Sequence, residues 1–198
     1  MENTRRRPPL GELTHFLDFS NRRLRWLPVL MVAVLFAAGV IAWLVHPAPG
    51  VTVSGGKARV GAPAPEFKST TPKGAPVRLR DFRGSPVLIN FWATWCTACE
   101  DEMPAIQSAV QQHSADHVQV LAVDYRETDR AAMTRYLSRL HVRFEPALDP
   151  EGKIAAAYGV SIGLPVSVFV DRDGVVRFMH TGQMSPPIIE QGIRASSR

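Results

Sequence analysis

Cys96 and Cys99 are the only cysteines in a chain of 198 residues, and both sit in FWATWCTACEDEMP, residues 91–104. Two sulfurs three positions apart can staple, ligate, anchor or react. A structural staple is a poor account of them. Closing a four-residue loop is worth roughly 2 kcal/mol, against about 4.7 for a 100-residue loop. A haem anchor needs C-x-x-C-H, and position 100 is Glu. A zinc site draws on Cys96-x2-Cys99-x13-His113-x3-His117, which fits a loose two-Cys, two-His spacing. A zinc finger, however, sets its cysteines in a hairpin. Here they fall between an apolar run and a helix start, and residues 100–112 hold three acids and no base. Redox chemistry fits the position best. At a strand-to-helix junction, free backbone N–H groups and the helix dipole favour a thiolate at Cys96. Cys99, one helical turn on, can attack a mixed disulfide formed at Cys96 and release the product.

The elements that must hold this pair follow from the pattern around it. PVLINFW (86–92) is apolar except for Asn90 and reads as a buried central strand. A helix is expected from Thr97 to about Gln112. A second buried strand is expected over 118–125, and a helix over 128–140 with Asp129 as its N-cap. Short strands are expected at 77–79 and 143–148, and a short helix at 153–159 that stops at Gly159. Strands at 166–170 and 175–180 flank Asp171-Arg172-Asp173-Gly174 as a hairpin, and a last helix spans 185–193. The order predicts an α/β domain with a mixed central sheet and helices on both faces.

The chain carries a net charge of +5, but the excess lies outside this domain. Residues 1–25 hold six arginines against three acids, Lys57 and Arg59 add two cations, and residues 61–198 hold 15 Lys/Arg and 15 Asp/Glu. A neutral domain lacks the basic surface that drives non-specific nucleic-acid binding, so nucleic acid is not expected as a partner. Residues 26–45 run 20 positions without a charge, enough to span about 30 Å as a helix. Trp26 and Trp43 lie near its ends. Arg22, Arg23 and Arg25 precede it, which predicts a cytoplasmic tail 1–25, a transmembrane anchor 26–45 and an extracytoplasmic remainder. A cleaved signal peptide has a shorter apolar region and a better cleavage site than Ala48-Pro49-Gly50. Residues 46–60 read as a linker rich in Pro, Gly and small residues, and 61–198 as the domain.

FWATWCTACEDEMP after a buried strand, Gly163-Leu164-Pro165 before VSVFV, and DRDGVV resemble the thioredoxin fold. More closely, they are similar to membrane-anchored extracytoplasmic thiol–disulfide oxidoreductases of the ResA/TlpA type, which serve cytochrome c maturation. The resemblance covers roughly residues 60–195. It implies a redox-active Cys96–Cys99 disulfide, with Cys96 as attacking and Cys99 as resolving thiol. Glu102 matches the active-site glutamate of ResA-like members. Asn90 stands where general thioredoxins carry a buried acid, which leaves Glu102 as the nearest proton handler for Cys99. Pro165 matches a cis-proline, Leu164 would offer backbone hydrogen bonds to a substrate chain, and Trp95 matches the aromatic flanking the attacking cysteine. No cofactor or metal is implied. The implied partners are disulfide-bearing extracytoplasmic proteins, apocytochrome c among them, an integral-membrane thiol electron donor, and the membrane itself.

The sequence departs from the pattern at Thr97-Ala98, where Pro commonly precedes the second cysteine, and at Val166, where Thr is frequent. Glu100, Asp101 and Glu102 crowd the helix start and oppose its dipole. Four activities stay open at this point: a reductase, an oxidase or isomerase using the same pair, a thiol peroxidase, and a copper chaperone. A peroxidase pattern wants Thr three residues before the reactive Cys, where this chain has Ala93. The copper pattern is C-x-x-x-C, although His180 could approach the site.

Overall fold

A computed structural model describes residues 26–45, 50–144, 146–161 and 163–197, the side chains of 42–45 apart. It divides into two units, residues 1–48 and 49–198. The expected tail 1–25 lies outside the described residues. In the first unit, α1 (Leu27–Val45) falls on the expected anchor, and the side chains described there, 26–41, are all exposed. Among the described residues no helix is long and apolar enough to cross a membrane.

The second unit is built on a four-stranded sheet in the order β5-β4-β6-β7. The strands are β4 (Val87–Trp92), β5 (Gln119–Asp124), β6 (Val166–Val170) and β7 (Val176–Thr181). β4 pairs parallel with β5 and antiparallel with β6, so the expected mixed sheet is present. All six residues of β4 and all five of β6 are buried, as a strand covered on both faces requires.

Alternation along β4 sorts the core. Val87, Ile89 and Phe91 face a cluster with Ile154, Ala155 and Tyr158, which bring α4 (Lys153–Ala157) onto that side. Leu88 faces Ile106 of α2 (Thr97–Gln112) and Ile189 and Ile193 of α5 (Pro186–Ser196). Trp92, four positions on, packs with Met103 of α2 and with Met133, Tyr136 and Leu137 of α3 (Arg130–Arg139). Its ring stacks on Tyr136 with centroids 5.3 Å apart. Asp129 caps α3 as expected, accepting from the Ala132 N–H at 2.9 Å.

The N-terminal part differs from expectation. A second, antiparallel sheet joins β1 (Thr52–Ser54), β2 (Glu66–Thr70) and β3 (Pro76–Arg78). β1 lies within the stretch read as linker. β3 overlaps the short strand expected at 77–79, whereas β1 and β2 are too short to announce themselves by alternation. They exist because Phe67 is buried in the core and Val53 and Val77 pack against it. The strand expected at 143–148 is reduced to an isolated parallel bridge between Val123 and Ala147. There, Ala147 and Asp149 extend the edge of β5 through single hydrogen bonds rather than a ladder.

Gly192 in α5 carries no side chain because none fits. A Cβ there would meet the Phe169 ring at 2.4 Å. Gly192→Ala gains helix propensity of up to about 1 kcal/mol but overpacks a closed face, which costs about 1–3 kcal/mol. A net loss of stability is expected in urea titrations; a gain would show that the Phe169 ring moves aside freely.

Candidate active site

The site is built at the C-terminal end of β4. The chain leaves the sheet at Trp92, turns through Ala93-Thr94-Trp95 and enters α2 with Cys96 as the N-cap residue. Cys96 has extended backbone angles, and its Sγ accepts the Cys99 N–H at 3.1 Å. A sulfur in this position meets the unpaired donors and positive end of the helix, the field that favours a thiolate. Cys96 and Cys99 form a disulfide with Cα atoms 5.3 Å apart. Cys99 is fully buried and Cys96 nearly so, 6% exposed. Trp95 beside them is 64% exposed, which removes the alternative that it fills the core. The turn is clamped from the side: Glu127 accepts both the Thr94 N–H at 3.1 Å and the Thr94 hydroxyl.

Glu102 lies beneath the pair, one turn along α2 and 1% exposed. One carboxylate oxygen accepts from Asn90 Nδ2 at 2.8 Å, the other from the Met184 N–H at 2.8 Å. Asn90 Nδ2 also donates to Ser167 Oγ at 2.9 Å, its direct register partner on β6. Burial dominates the two bonds and pushes the Glu102 carboxyl up from 4.5 to about 7. A carboxyl that titrates near neutrality can take or give a proton at working pH. Cys99 and Glu102, three residues apart on one helix, share a face.

The Leu164–Pro165 peptide bond is cis. Pro165 is buried, and Leu164 is half-buried against the cluster that contains Cys96 and Cys99. The structure therefore gathers Cys96, Cys99, Trp95 and Leu164 at one end of the sheet, with Glu102 behind them. It does not bring His113 to the pair. His113, at the far end of α2, is bonded to Asp116 at 2.9 Å and to Glu190 at 2.8 Å. Both carboxylates raise its pKa. No group of three His, Cys, Asp or Glu suited to a metal ion occurs among the described residues.

Three participants escaped the sequence reading. Ser167 and the Met184 N–H complete the cage of Glu102; the signal for Ser167 was a lone polar residue in VSVFV, as Asn90 is in PVLINFW. Asp124, fully buried at the end of β5 opposite Trp92, accepts from the Asp149 N–H at 3.0 Å with one oxygen. Burial pushes its carboxyl up to about 7 as well. Nothing in its flanking residues marked it.

A carboxyl with a raised folded pKa binds its proton more tightly folded than unfolded. Its contribution is therefore fully present below about 4.5 and lost as pH rises toward about 7. The disulfide form is expected to lose stability over that window, with Asp124 adding the same sign from 3.8 upward. Glu102→Gln should remove up to roughly 3 kcal/mol of the decline. Urea midpoints at pH 4.5, 6 and 8 test this; an unchanged slope in the variant would mean that Glu102 titrates near its ordinary value.

The comparisons with known proteins agree with this geometry. The model of the AhpC/TSA family matches residues 60–179. The chain is 31% identical over 164 residues to the thiol-disulfide oxidoreductase ResA of Bacillus thuringiensis subsp. konkukian, covering 83% of this chain and 92% of that one. It is 35% identical over 138 residues to ResA of Bacillus cereus, covering 70% and 79%. Among solved structures, a proposed thiol:disulfide interchange protein DsbE from Chlorobium tepidum superposes with a TM-score of 0.65 at 31% identity, covering 72% of this chain and all of that one. With its C-x-x-C pair closed as a disulfide at a helix N-terminus of a thioredoxin-like fold, the chain belongs to the AhpC/TSA family and, within it, to the thiol–disulfide oxidoreductases, a class of redox enzymes.

Proposed function

We propose that the protein is a membrane-anchored reductase of disulfides in extracytoplasmic proteins, apocytochrome c among them. The observation that carries the redox part is the Cys96–Cys99 disulfide on the N-cap of α2 above a buried carboxyl that titrates near neutrality. The anchor and its direction rest on the sequence, on 20 uncharged residues preceded by three arginines.

In the reduced enzyme the Cys96 thiolate attacks one sulfur of a client disulfide. The client's other sulfur leaves as a thiolate and takes up a proton. Cys99 then gives its proton to ionised Glu102 and attacks Cys96 Sγ. The Cys96–Cys99 disulfide forms, the client leaves with both cysteines reduced, and two electrons have passed to it. Trp95 offers the client an exposed ring, and the Leu164 backbone, at the cis peptide bond, offers it hydrogen-bonding groups. An integral-membrane thiol protein then returns two electrons to the pair.

Cys99→Ser removes the resolving sulfur and should freeze the mixed disulfide at Cys96. In membranes from cells expressing the full chain, this variant should yield disulfide-linked partners that thiol reagents release, and Cys96→Ser should yield none. Recovery of equal amounts from both variants, or of no partner from Cys99→Ser, would count against the enzymatic assignment. Insulin-disulfide reduction should fall by at least about 10³-fold in Cys96→Ser, the loss typical when a nucleophile is removed.

A further inference from the structure

The outer face of the three-stranded sheet carries a charge pattern for which the redox site has no use. Phe67 and Ser69 of β2 are buried beneath it, so Glu66, Lys68 and Thr70 point the other way. The register sets Thr52 of β1 and Arg78 of β3 on either side of Lys68, and Ser54 opposite Glu66. A hydroxyl, an ammonium and a guanidinium thus stand in one cross-strand row. Like charges directly opposite each other destabilise an antiparallel pair, and no acid answers this one. Glu66, the only carboxylate lining the face among the described residues, is bonded to Arg83 at 2.9 Å. Arg80, in the short 3-10 helix Leu79–Phe82, adds a third cation. Together these residues line a cavity of about 390 Å³. A neighbouring cavity of about 510 Å³ shares Ser54 and Glu66 and adds Lys57, Arg59 and Arg83.

We propose that this face binds a phosphate-class anion. A phosphate group accepts several hydrogen bonds at once, and guanidinium and ammonium donors set around it bond it strongly. Thr52 supplies a neutral donor at the edge of the same row, and Ser54 another opposite Glu66. A bound anion would offset the repulsion between Lys68 and Arg78. The continuing run of cations suits a diphosphate or the phosphodiester of a lipid headgroup. The site does not depend on the redox assignment, because none of its residues touches the cysteines.

The test uses the full chain, disulfide form, in an uncharged detergent, with its melting temperature followed at matched ionic strength. One arm adds inorganic pyrophosphate; the other dopes the micelles with phosphatidylglycerol or, as control, phosphatidylcholine. A saturable rise with pyrophosphate alone identifies a free anion, a rise with phosphatidylglycerol alone a headgroup, and a rise with both a site that reads the phosphate in either carrier. Lys68→Gln and Arg78→Gln should each weaken the response roughly tenfold, while Arg172→Gln, on the exposed β6–β7 turn, keeps it. Without ligand, Lys68→Gln should melt no lower than the parent protein, and insulin reduction should be unchanged in it. The proposal is overturned by no rise in either arm, by an equal rise with sodium chloride, or by variants that respond as the parent does.

Discussion

The fold turns on one buried carboxylate. Glu102 ties three elements together at the centre of the domain: its own helix α2, the central strand β4 through Asn90, and the segment before α5 through the Met184 N–H. Ser167 of β6 joins by the second proton of Asn90. Two donors do not repay the desolvation of a charge so deeply enclosed, which is why the carboxyl titrates near 7 rather than 4.5. The strain on the charged form and the chemistry of the site have the same origin. A carboxyl that was easy to ionise would hold the elements together better and accept a proton from Cys99 worse.

The same burial settles a conflict at the start of α2. Three acids close to a helix start would be expected to oppose the field that favours a Cys96 thiolate. Glu102 is only partly charged near neutrality because of its own enclosure, and Glu100 is bidentate with Arg139 of α3 at 2.8 and 3.2 Å. Only Asp101 remains exposed without such a partner. The Cys99 N–H and the helix dipole therefore act on Cys96 Sγ with less opposition than the acidic run suggests. The clamp of Glu127 on Thr94 fixes the turn that presents the sulfur.

The redox pair, its helix and both buried strands were legible because they rest on local signals. A polar residue in an apolar run, a cap residue before a helical period and a C-x-x-C at the junction are all written within about a dozen positions. α2 runs from Thr97 to Gln112 as expected for that reason. What escaped rests on contacts distant in the chain. β1 and β2 form because Val53 and Phe67 find a core supplied by residues about a hundred positions later. Asp124 becomes a perturbed acid only because a covering shell buries it, a shift that the bond from the Asp149 N–H opposes. The cage of Glu102 needed Ser167 and Met184, 65 and 82 positions away, the second through its backbone alone. The segment 143–148 failed as a strand because its edge finds a single bridge and no ladder.

The residues between the sulfurs, Thr97 and Ala98, decide the balance of dithiol and disulfide, and with it the direction of electron flow. Equilibration of the full chain with glutathione buffers at pH 7 measures that balance directly. A midpoint near about −250 mV or lower, as suits a donor of electrons to client disulfides, is the predicted result. A midpoint near about −120 mV would mark the pair as an oxidant and contradict the account.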